Sequence, residues 1–191
     1  MCAECPSYIV VTGGPGSGKT TLLDLMRNAG LATTEEAGRG VIRDQVAIGG
    51  RALPWVDPEA FAELMLCWEL RSYGIAAGQR RPVFFDRGIP DVVGYLRLEK
   101  LPVPHHVRTA AQLFRYHHRV FVAPPWQEIY ERDSEREQTF AEARRTYESM
   151  VESYTEYGYE LIELPRAPVE ERFRFVRETL DGPGARPAPE T

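Results

Sequence analysis

A glycine-rich segment in the first twenty residues carries the strongest chemical signal in the sequence. Residues 13–20 read Gly-Gly-Pro-Gly-Ser-Gly-Lys-Thr and fit the pattern G-x-x-x-x-G-K-[ST] at every fixed position. Glycines accept left-handed backbone angles and allow a close approach, so that successive amides can point into one anion-binding hollow. Lys19 would then reach the β- and γ-phosphates of a nucleoside triphosphate, and the Thr20 hydroxyl would coordinate Mg²⁺. The residues predicted to bind the nucleotide are Gly13, Gly14, Gly16, Ser17, Gly18, Lys19, Thr20 and Thr21.

A second chemical signal is an aspartate at the end of a short apolar run. Residues 82–86 read Pro-Val-Phe-Phe-Asp, which is typical of a buried strand that ends in a metal-binding carboxylate. Strand ends line the crevice of an open α/β sheet, so we expect Asp86 to lie beside Lys19 and Thr20 and to hold Mg²⁺, directly or through water. The alternative is that Asp86 only caps a turn or a helix. Because a phosphate-binding segment is also present, we favour the metal-binding role of Asp86 over the capping role.

Short apolar runs alternate with helical patterns along the sequence. Asp57 and Pro58 form a strong helix start, and Thr139 with Glu142 forms a capping box ahead of another helix. Strands are predicted over residues 7–12, 31–34, 82–86, 119–123 and 159–164, and helices over residues 20–29, from 57, from 139 to 157 and from 168. Five short buried strands separated by helices indicate an α/β fold, with a five-stranded parallel sheet and helices on both faces.

The alternation shows no internal repeat and no linker. We therefore expect one domain over residues 7–180, after an N-terminal tail at 1–6. Residues 181–191 are rich in proline and glycine and are predicted to form a disordered tail.

The composition excludes several classes of protein. With 43% hydrophobic and 27% charged residues, the chain is not globally disordered, and its net charge of −5 argues against a nucleic-acid partner. No window reaches the roughly 18 apolar residues of a membrane helix, so no membrane association is expected. Three cysteines are too few and too scattered for a disulfide framework, which favours a cytoplasmic location. Cys2 and Cys5 lack a second pair nearby, so solvated thiols are favoured over a structural zinc.

The motifs resemble those of small-molecule and nucleotide kinases. Residues 14–19 (GPGSGK) resemble the spelling in adenylate-kinase-like enzymes, and residues 86–88 (DRG) resemble the element that ends the third strand of thymidylate and deoxynucleoside kinases. The order of elements over residues 7–180, including Pro54-Trp55, Asp57-Pro58 and Phe61, resembles the small AAA-type ATPases grouped with the ribosylnicotinamide kinase domain. The resemblance implies a P-loop kinase-like NTPase that uses ATP and Mg²⁺.

The base-reading element of guanine-specific GTPases is missing. Such proteins read guanine with Asn/Thr-Lys-x-Asp, whereas Lys100 is followed here by Leu101 and Pro102, and Asn28 is the only asparagine in the sequence. This absence argues against a GTPase of that type.

Residues 127–139 are predicted to form a lid. In kinases of this type a mobile lid carries arginines that neutralise charge on the transferring phosphoryl group, and the resemblance implies that role for Arg132 and Arg136. Their spacing of four would place both on one helix face. The alternative is a solvated helix with Glu–Arg pairs, because the same segment also contains glutamates.

Residues 36–81 are the predicted acceptor-binding insert. Glu36 stands where several such kinases place an acceptor-binding or base carboxylate, so the resemblance implies that it polarises the acceptor hydroxyl. Asp86 is the alternative for that role, and both stay open at the level of sequence. Arg39 and Arg43 are four residues apart and could grip an anionic substrate.

Two further residues are candidates for the acceptor side. Trp55 could stack on a base or an aromatic ring, although packing beside Pro54 is the commoner use of a tryptophan. Arg87 could bind an acceptor phosphate or pair with a carboxylate. For the arginines of the insert, the alternative is a solvated surface position.

Together these features predict a Mg²⁺-dependent phosphotransferase. It would move the γ-phosphoryl group of ATP to a hydroxyl or phosphate of an unidentified small molecule, with Lys19, Asp86, Glu36, Arg132 and Arg136 in catalytic roles. The alternatives are an ATPase that acts as a nucleotide-operated switch or partner-binding protein, and a nucleotide sensor without turnover. The insert and the lid arginines favour the phosphotransferase, because a simple sensor needs neither.

Overall fold

Segments rich in valine, isoleucine and phenylalanine pair into one parallel sheet of five strands, in the order β2-β3-β1-β4-β5. The computed structural model describes residues 7–79, 82–130 and 139–182. The strands are β1 (Tyr8–Gly13), β2 (Ala32–Thr33), β3 (Val83–Asp86), β4 (Arg119–Ala123) and β5 (Glu160–Glu163). Helices cover both faces of this sheet, so the predicted fold class is confirmed.

The central position of β1 brings the two chemical motifs together. In the pairing of β1 with β3, Val11 lies opposite Asp86, and in the pairing with β4, Gly13 lies opposite Ala123. Parallel strands end at the same edge of a sheet. The glycine-rich segment after β1 and the Asp86 carboxylate therefore meet at the carboxyl edge of the sheet, as the sequence predicts.

The helices are α1 (Lys19–Asn28), α2 (Ala37–Ile48), α3 (Pro58–Ala76), α4 (Ile89–Leu98), α5 (His105–Leu113), α6 (Gln127–Tyr130), α7 (Phe140–Glu156) and α8 (Val169–Asp181). Apolar residues of α1 and α8, among them Leu22 and Val176, form the core on one face of the sheet. Helices α2, α3, α4, α5 and α7 supply the larger core on the other face, around Phe61, Phe85 and Tyr154. In the described part of the chain, none of the helices combines the length and the apolar character needed to cross a membrane.

The helix starts with clear capping residues are confirmed. The Asp57 side chain accepts a hydrogen bond from the Ala60 amide at 3.0 Å. Thr139 and Glu142 form the predicted reciprocal capping box at the start of α7. Helices α2, α4 and α5 and the four-residue α6 were not predicted. Four of the first six residues of α4 are apolar and all six are buried, so this helix has no polar face there to create a helical period.

Two helices bury polar side chains on their inner faces. On α7, Ser153 is buried beside Met150 and Tyr154, whereas Val151 is only half-buried. On α8 a charged residue, Arg172, is buried beside Val176. The helical period of apolar residues predicts only which apolar side chains face inward. It therefore cannot identify an arginine that is buried in order to form hydrogen bonds.

Candidate functional site

The glycine-rich segment, residues 13–18, forms a tight loop between β1 and α1, and we call it the phosphate loop. The φ angles are 134° at Gly13, 72° at Gly16 and 76° at Gly18. Residues that carry a Cβ atom disfavour such positive angles. At Gly14 the constraint is spatial, because a Cβ atom there would lie 2.3 Å from the Ala143 carbonyl oxygen at the start of α7. The loop therefore needs glycines both for its backbone angles and for its contact with α7.

The Lys19 ammonium group is folded back onto the phosphate loop. Its Nζ donates to the carbonyl oxygens of Gly14 at 2.8 Å and Gly13 at 3.2 Å, and lies 3.4 Å from Ser17 Oγ. Burial, with a smaller contribution from the Arg87 charge, lowers the pKa of Lys19 to about 8. Lys19 makes no ion pair with any described residue, so its charge is available to a bound phosphate.

Asp86 lies at the end of β3 with one oxygen unused. Its Oδ1 is buried and has no hydrogen-bond partner among the described residues. Burial, and next the Glu36 carboxylate, raise the pKa of Asp86 to about 6. An orphaned carboxylate oxygen fits Mg²⁺, which binds through one or two protein oxygens plus phosphates and water. Thr20 is exposed on the first turn of α1 and is the other predicted ligand.

The described residues contain no cluster of three or more histidine, cysteine or acidic side chains that could hold a metal alone. A magnesium ion here would therefore depend on the phosphates of a bound nucleotide. That dependence agrees with a donor set of one hydroxyl and one carboxylate.

Arg87 joins two carboxylates beside this edge. Its Nε donates to Glu36 Oε1 at 2.9 Å, and its Nη1 donates to Asp91 Oδ1 at 3.0 Å. The backbone of Arg87 has a φ of 72°, which is strained for a residue with a side chain. The two ion pairs hold the guanidinium in place despite this strain. Of the two roles predicted for Arg87, the structure shows the pairing with carboxylates.

Asp91, on the first turn of α4, is fully used as an acceptor. Its Oδ1 also accepts from Thr12 Oγ1 at 2.5 Å, and its Oδ2 accepts from the Gly88 amide at 2.9 Å and the Tyr154 hydroxyl at 2.6 Å. Asp91 thus joins β1, α4 and α7. The sequence prediction missed this residue, because Arg87 precedes α4 and no helical spacing relates the two side chains.

Glu36 immediately precedes α2, and its carboxylate is held ionised. Its second oxygen, Oε2, lies 3.0 Å from Arg39 Nε, and the Arg39 side chain is 66% exposed. Burial would raise the pKa of Glu36, but Arg87, Lys19 and Arg39 outweigh burial and lower that pKa to about 2.

A cavity of about 310 Å³ opens beside the phosphate loop, between α2, α3, α4 and α7. We call it the α3–α4 cavity. Its charged lining residues are Lys19, Glu36, Arg39, Glu69, Arg87, Asp91 and Glu99, and its apolar lining includes Ile42, Phe61, Met65, Val92, Tyr95 and Met150. Four predicted residues (Lys19, Glu36, Arg39 and Arg87) are thus brought together, within the size range of a small-molecule site.

A second cavity of about 610 Å³ lies on the other side of the phosphate loop. It is lined by Gly16, Gly18 and Thr21, by Trp126, Glu128 and Ile129 near α6, and by the residues that lead from β5 into α8. We call it the α6–α8 cavity. Arg172 forms part of its wall and is buried, and its Nη1 donates to the carbonyl oxygens of Ser17 at 3.1 Å and Gly18 at 3.4 Å. The sequence prediction missed Arg172.

Four predicted residues lie elsewhere or outside the description. Arg43 pairs with Asp44, and its side chain is 65% exposed. Trp55 is 66% exposed. Neither residue lines the α3–α4 cavity. Arg132 and Arg136, the predicted lid arginines, fall in residues 131–138 and so lie outside the described residues.

Comparisons with known proteins agree with this architecture. A family model of AAA domains matches residues 8–172, and a comparison with curated proteins finds no match. A deoxyadenosine kinase from M. mycoides superposes with a TM-score of 0.62 at 12% identity, covering 91% of this chain and 98% of the kinase. Shikimate kinase from Acinetobacter baumannii superposes at 0.55 with 13% identity, covering 91% and 92%.

NadR protein superposes with a TM-score of 0.65 at 20% identity, covering 91% of this chain and 50% of NadR. The chain thus spans half the length of that protein. At these identities the similar structures show a shared fold, while the family model covers most of the sequence. The chain belongs to the AAA domain family and has the fold of a P-loop kinase-like NTPase.

Proposed function

We propose that the protein is a Mg²⁺-dependent phosphotransferase that moves the γ-phosphoryl group of ATP to a hydroxyl group of a small molecule. One observation carries the proposal: the phosphate loop separates two cavities. Gly16, Gly18 and Thr21 face the α6–α8 cavity, whereas Lys19 faces the α3–α4 cavity. A transferase needs one pocket for the nucleoside of ATP and another for the acceptor. An ATPase without an acceptor needs only the first.

In this proposal the phosphate loop and Lys19 orient the triphosphate, with its adenosine in the α6–α8 cavity. Thr20 and Asp86 are the residues that would hold Mg²⁺, which would neutralise charge on the β- and γ-phosphates. The acceptor oxygen bonds to the γ-phosphorus, and the bond from that phosphorus to the β–γ bridging oxygen breaks. ADP leaves, and the hydroxyl proton passes to a carboxylate or to water.

Glu36 is the carboxylate that we assign to the acceptor hydroxyl. Its pKa of about 2 makes it a weak base, so its role is to accept a hydrogen bond and align the attacking oxygen. Such alignment suffices for a loose phosphoryl-transfer transition state, in which positioning and charge stabilisation supply most of the catalysis. Asp86 has the higher pKa, but its free oxygen is better explained as a metal ligand.

The remaining predicted roles stay part of the proposal. Arg132 and Arg136 would cover the charge that develops on the transferring group. The few scattered cysteines favour a cytoplasmic location, and the net charge of −5 argues against a nucleic-acid partner. The structures with a similar fold contain bound small molecules: dCMP in the deoxyadenosine kinase, NR in NadR and shikimate in shikimate kinase. These ligands support a small-molecule acceptor.

Transfer of radiolabel from γ-labelled ATP to a metabolite mixture tests the proposal. Lys19 and Lys100 are the only lysines in the sequence, so Lys100→Gln is a matched control for Lys19→Ala. We expect label to move to a small molecule with the wild type and with Lys100→Gln, and transfer to fall at least about a hundredfold with Lys19→Ala. Release of labelled phosphate without a labelled acceptor would favour the ATPase alternative.

A further inference from the structure

Glu69 is a buried carboxyl group in the wall of the α3–α4 cavity. Phe61, Met65 and Glu69 are four residues apart, so they form one stripe on α3, and all three line the cavity. Glu69 is 3% exposed. It makes no hydrogen bond or ion pair with any residue in the described ranges. An apolar residue would be expected at this position, so the carboxyl group is unexplained by packing.

An unpartnered carboxyl group in such a site costs stability unless it is neutral or binds something. Burial is the main cause of a pKa well above the usual range for Glu69, and the Asp91 and Asp86 charges add to it. The protonated group offers one donor and one acceptor side by side. It therefore matches an amide-like edge, which also presents a donor next to an acceptor.

The cations of the same cavity are already engaged. Arg87 pairs with Glu36 and Asp91, Arg39 pairs with Glu36, and Lys19 donates to the phosphate loop. Among the described lining residues, acidic side chains also outnumber basic ones. Lys19 makes no ion pair, but the proposed function assigns its charge to the phosphates of ATP. The cavity therefore offers no further unpaired cation for a carboxylate or phosphate on the acceptor, and it differs in this from a site built for an anion.

We propose that Glu69 determines acceptor specificity by pairing with the amide-like or amino edge of a ring that carries no negative charge. The apolar stripe of Phe61 and Met65 would pack against the ring, and Glu36 would meet the hydroxyl that receives the phosphoryl group. The acceptor is then a nucleoside-like molecule rather than an anionic one. This inference rests on the proposed phosphotransferase function and specifies its acceptor.

The test compares acceptors with and without a polar edge. The acceptors with a polar ring edge are adenosine, cytidine, uridine and nicotinamide riboside. Phenyl C-riboside has a ring without a polar edge, and shikimate and CMP are the anionic acceptors. We expect the best nucleoside to exceed phenyl C-riboside by about 10- to 100-fold in kcat/KM, the range for losing one buried hydrogen-bonding partner. In Glu69→Met this ratio should fall close to one, and Glu69→Gln should restore most of it.

Controls separate recognition from structure. Glu63→Gln changes an exposed carboxylate of the same helix and should leave every ratio unchanged. The affinity for Mg-ATP should be equal in all four proteins. If Glu69→Met does not fold, carbon-13 NMR of the Glu69 carboxyl in the wild type replaces it, with Glu69→Gln to assign the signal. That signal should shift on binding of the nucleoside and not on binding of phenyl C-riboside.

Different results overturn the two proposals. The inference fails if label moves to nucleosides but Glu69→Met keeps the wild-type ratio, if the NMR signal responds equally to both ribosides, or if shikimate or CMP is the best acceptor. If no acceptor is labelled while Mg-ATP still binds in a Lys19-dependent way, the phosphotransferase function itself fails, and the inference fails with it.

Discussion

The Arg87 Nε atom lies 2.9 Å from Glu36 Oε1, so one ion pair joins two residues that are 51 positions apart in the sequence. Both side chains are largely buried, at 15% and 16% exposed. The same guanidinium binds Asp91. One cation therefore connects the end of β3 to the starts of α2 and α4. Buried pairs of this kind are sensitive to the loss of a single partner, because the other charge is left unpaired.

Arg87→Met should therefore destabilise the protein by about 3–5 kcal/mol, since it removes the buried cation that Glu36 and Asp91 share. Urea unfolding followed by circular dichroism measures the change. Arg27→Met is the matched control, because Arg27 pairs with Asp24 on the surface, and it should cost less than about 1 kcal/mol. Equal effects of the two substitutions would show that the buried network does not stabilise the fold.

Binding of magnesium should depend on pH through Asp86. Its pKa of about 6 means that it is mostly protonated below pH 6, and a metal must displace that proton. We expect the affinity gained by adding Mg²⁺ to ATP to fall below about pH 6 in the wild type. Calorimetry at pH 5 and pH 8 measures this gain, and Asp86→Asn corrects for titration of ATP itself. An identical pH profile in Asp86→Asn would contradict the assignment of Asp86 as a metal ligand.

Stability should also depend on pH through Glu69. Its pKa is higher in the folded than in the unfolded protein, so the folded state binds more protons and the contribution of Glu69 to stability is lost as pH rises above about 4.3. Glu69→Gln stays neutral. We therefore expect its free energy of unfolding, relative to wild type, to be higher at pH 8 than at pH 4. Denaturant unfolding at both values tests this, with Glu63→Gln expected to show no such trend.

Replacing Arg172 should weaken ATP binding and leave acceptor binding unchanged. Its Nη1 holds the carbonyl oxygens of Ser17 and Gly18 on the outer side of the phosphate loop, and loss of a hydrogen bond from a charged donor costs about 1.5–3 kcal/mol. Arg172→Met should weaken Mg-ATP binding at least about tenfold, with KM for the acceptor unchanged. Arg174→Met, an exposed change on the same helix, should match the wild type. Equal weakening of acceptor binding would argue for general damage instead.

The parts of the site that lie in one local segment were the parts that could be predicted. Residues 13–20 and Asp86 are each identified by a short motif at the end of a strand, and the parallel sheet fixes their meeting. The network behind them is not local. Asp91 accepts from Thr12, 79 positions away, and from Tyr154, 63 positions away, and no spacing rule connects residues so distant.

Residues that break a local rule were also missed. Glu69 lies in an apolar stripe of α3, and Arg172 lies on the inner face of α8. Hydrophobic periodicity predicts apolar residues at such positions, so it identifies neither. Helix α2 begins at Ala37 without a side-chain cap from Glu36, so the usual start signal is missing. Such departures are expected where a side chain serves a site instead of the core.

The close approach of Gly14 to Ala143 couples two parts of the molecule mechanically. Backbone touches backbone there, with no side chain between them that could rotate to relieve a displacement. If a triphosphate binds as proposed and the loop adjusts around it, we expect the first turn of α7 to shift as well. The position of α7 against the phosphate loop would then differ between the empty and the nucleotide-bound protein.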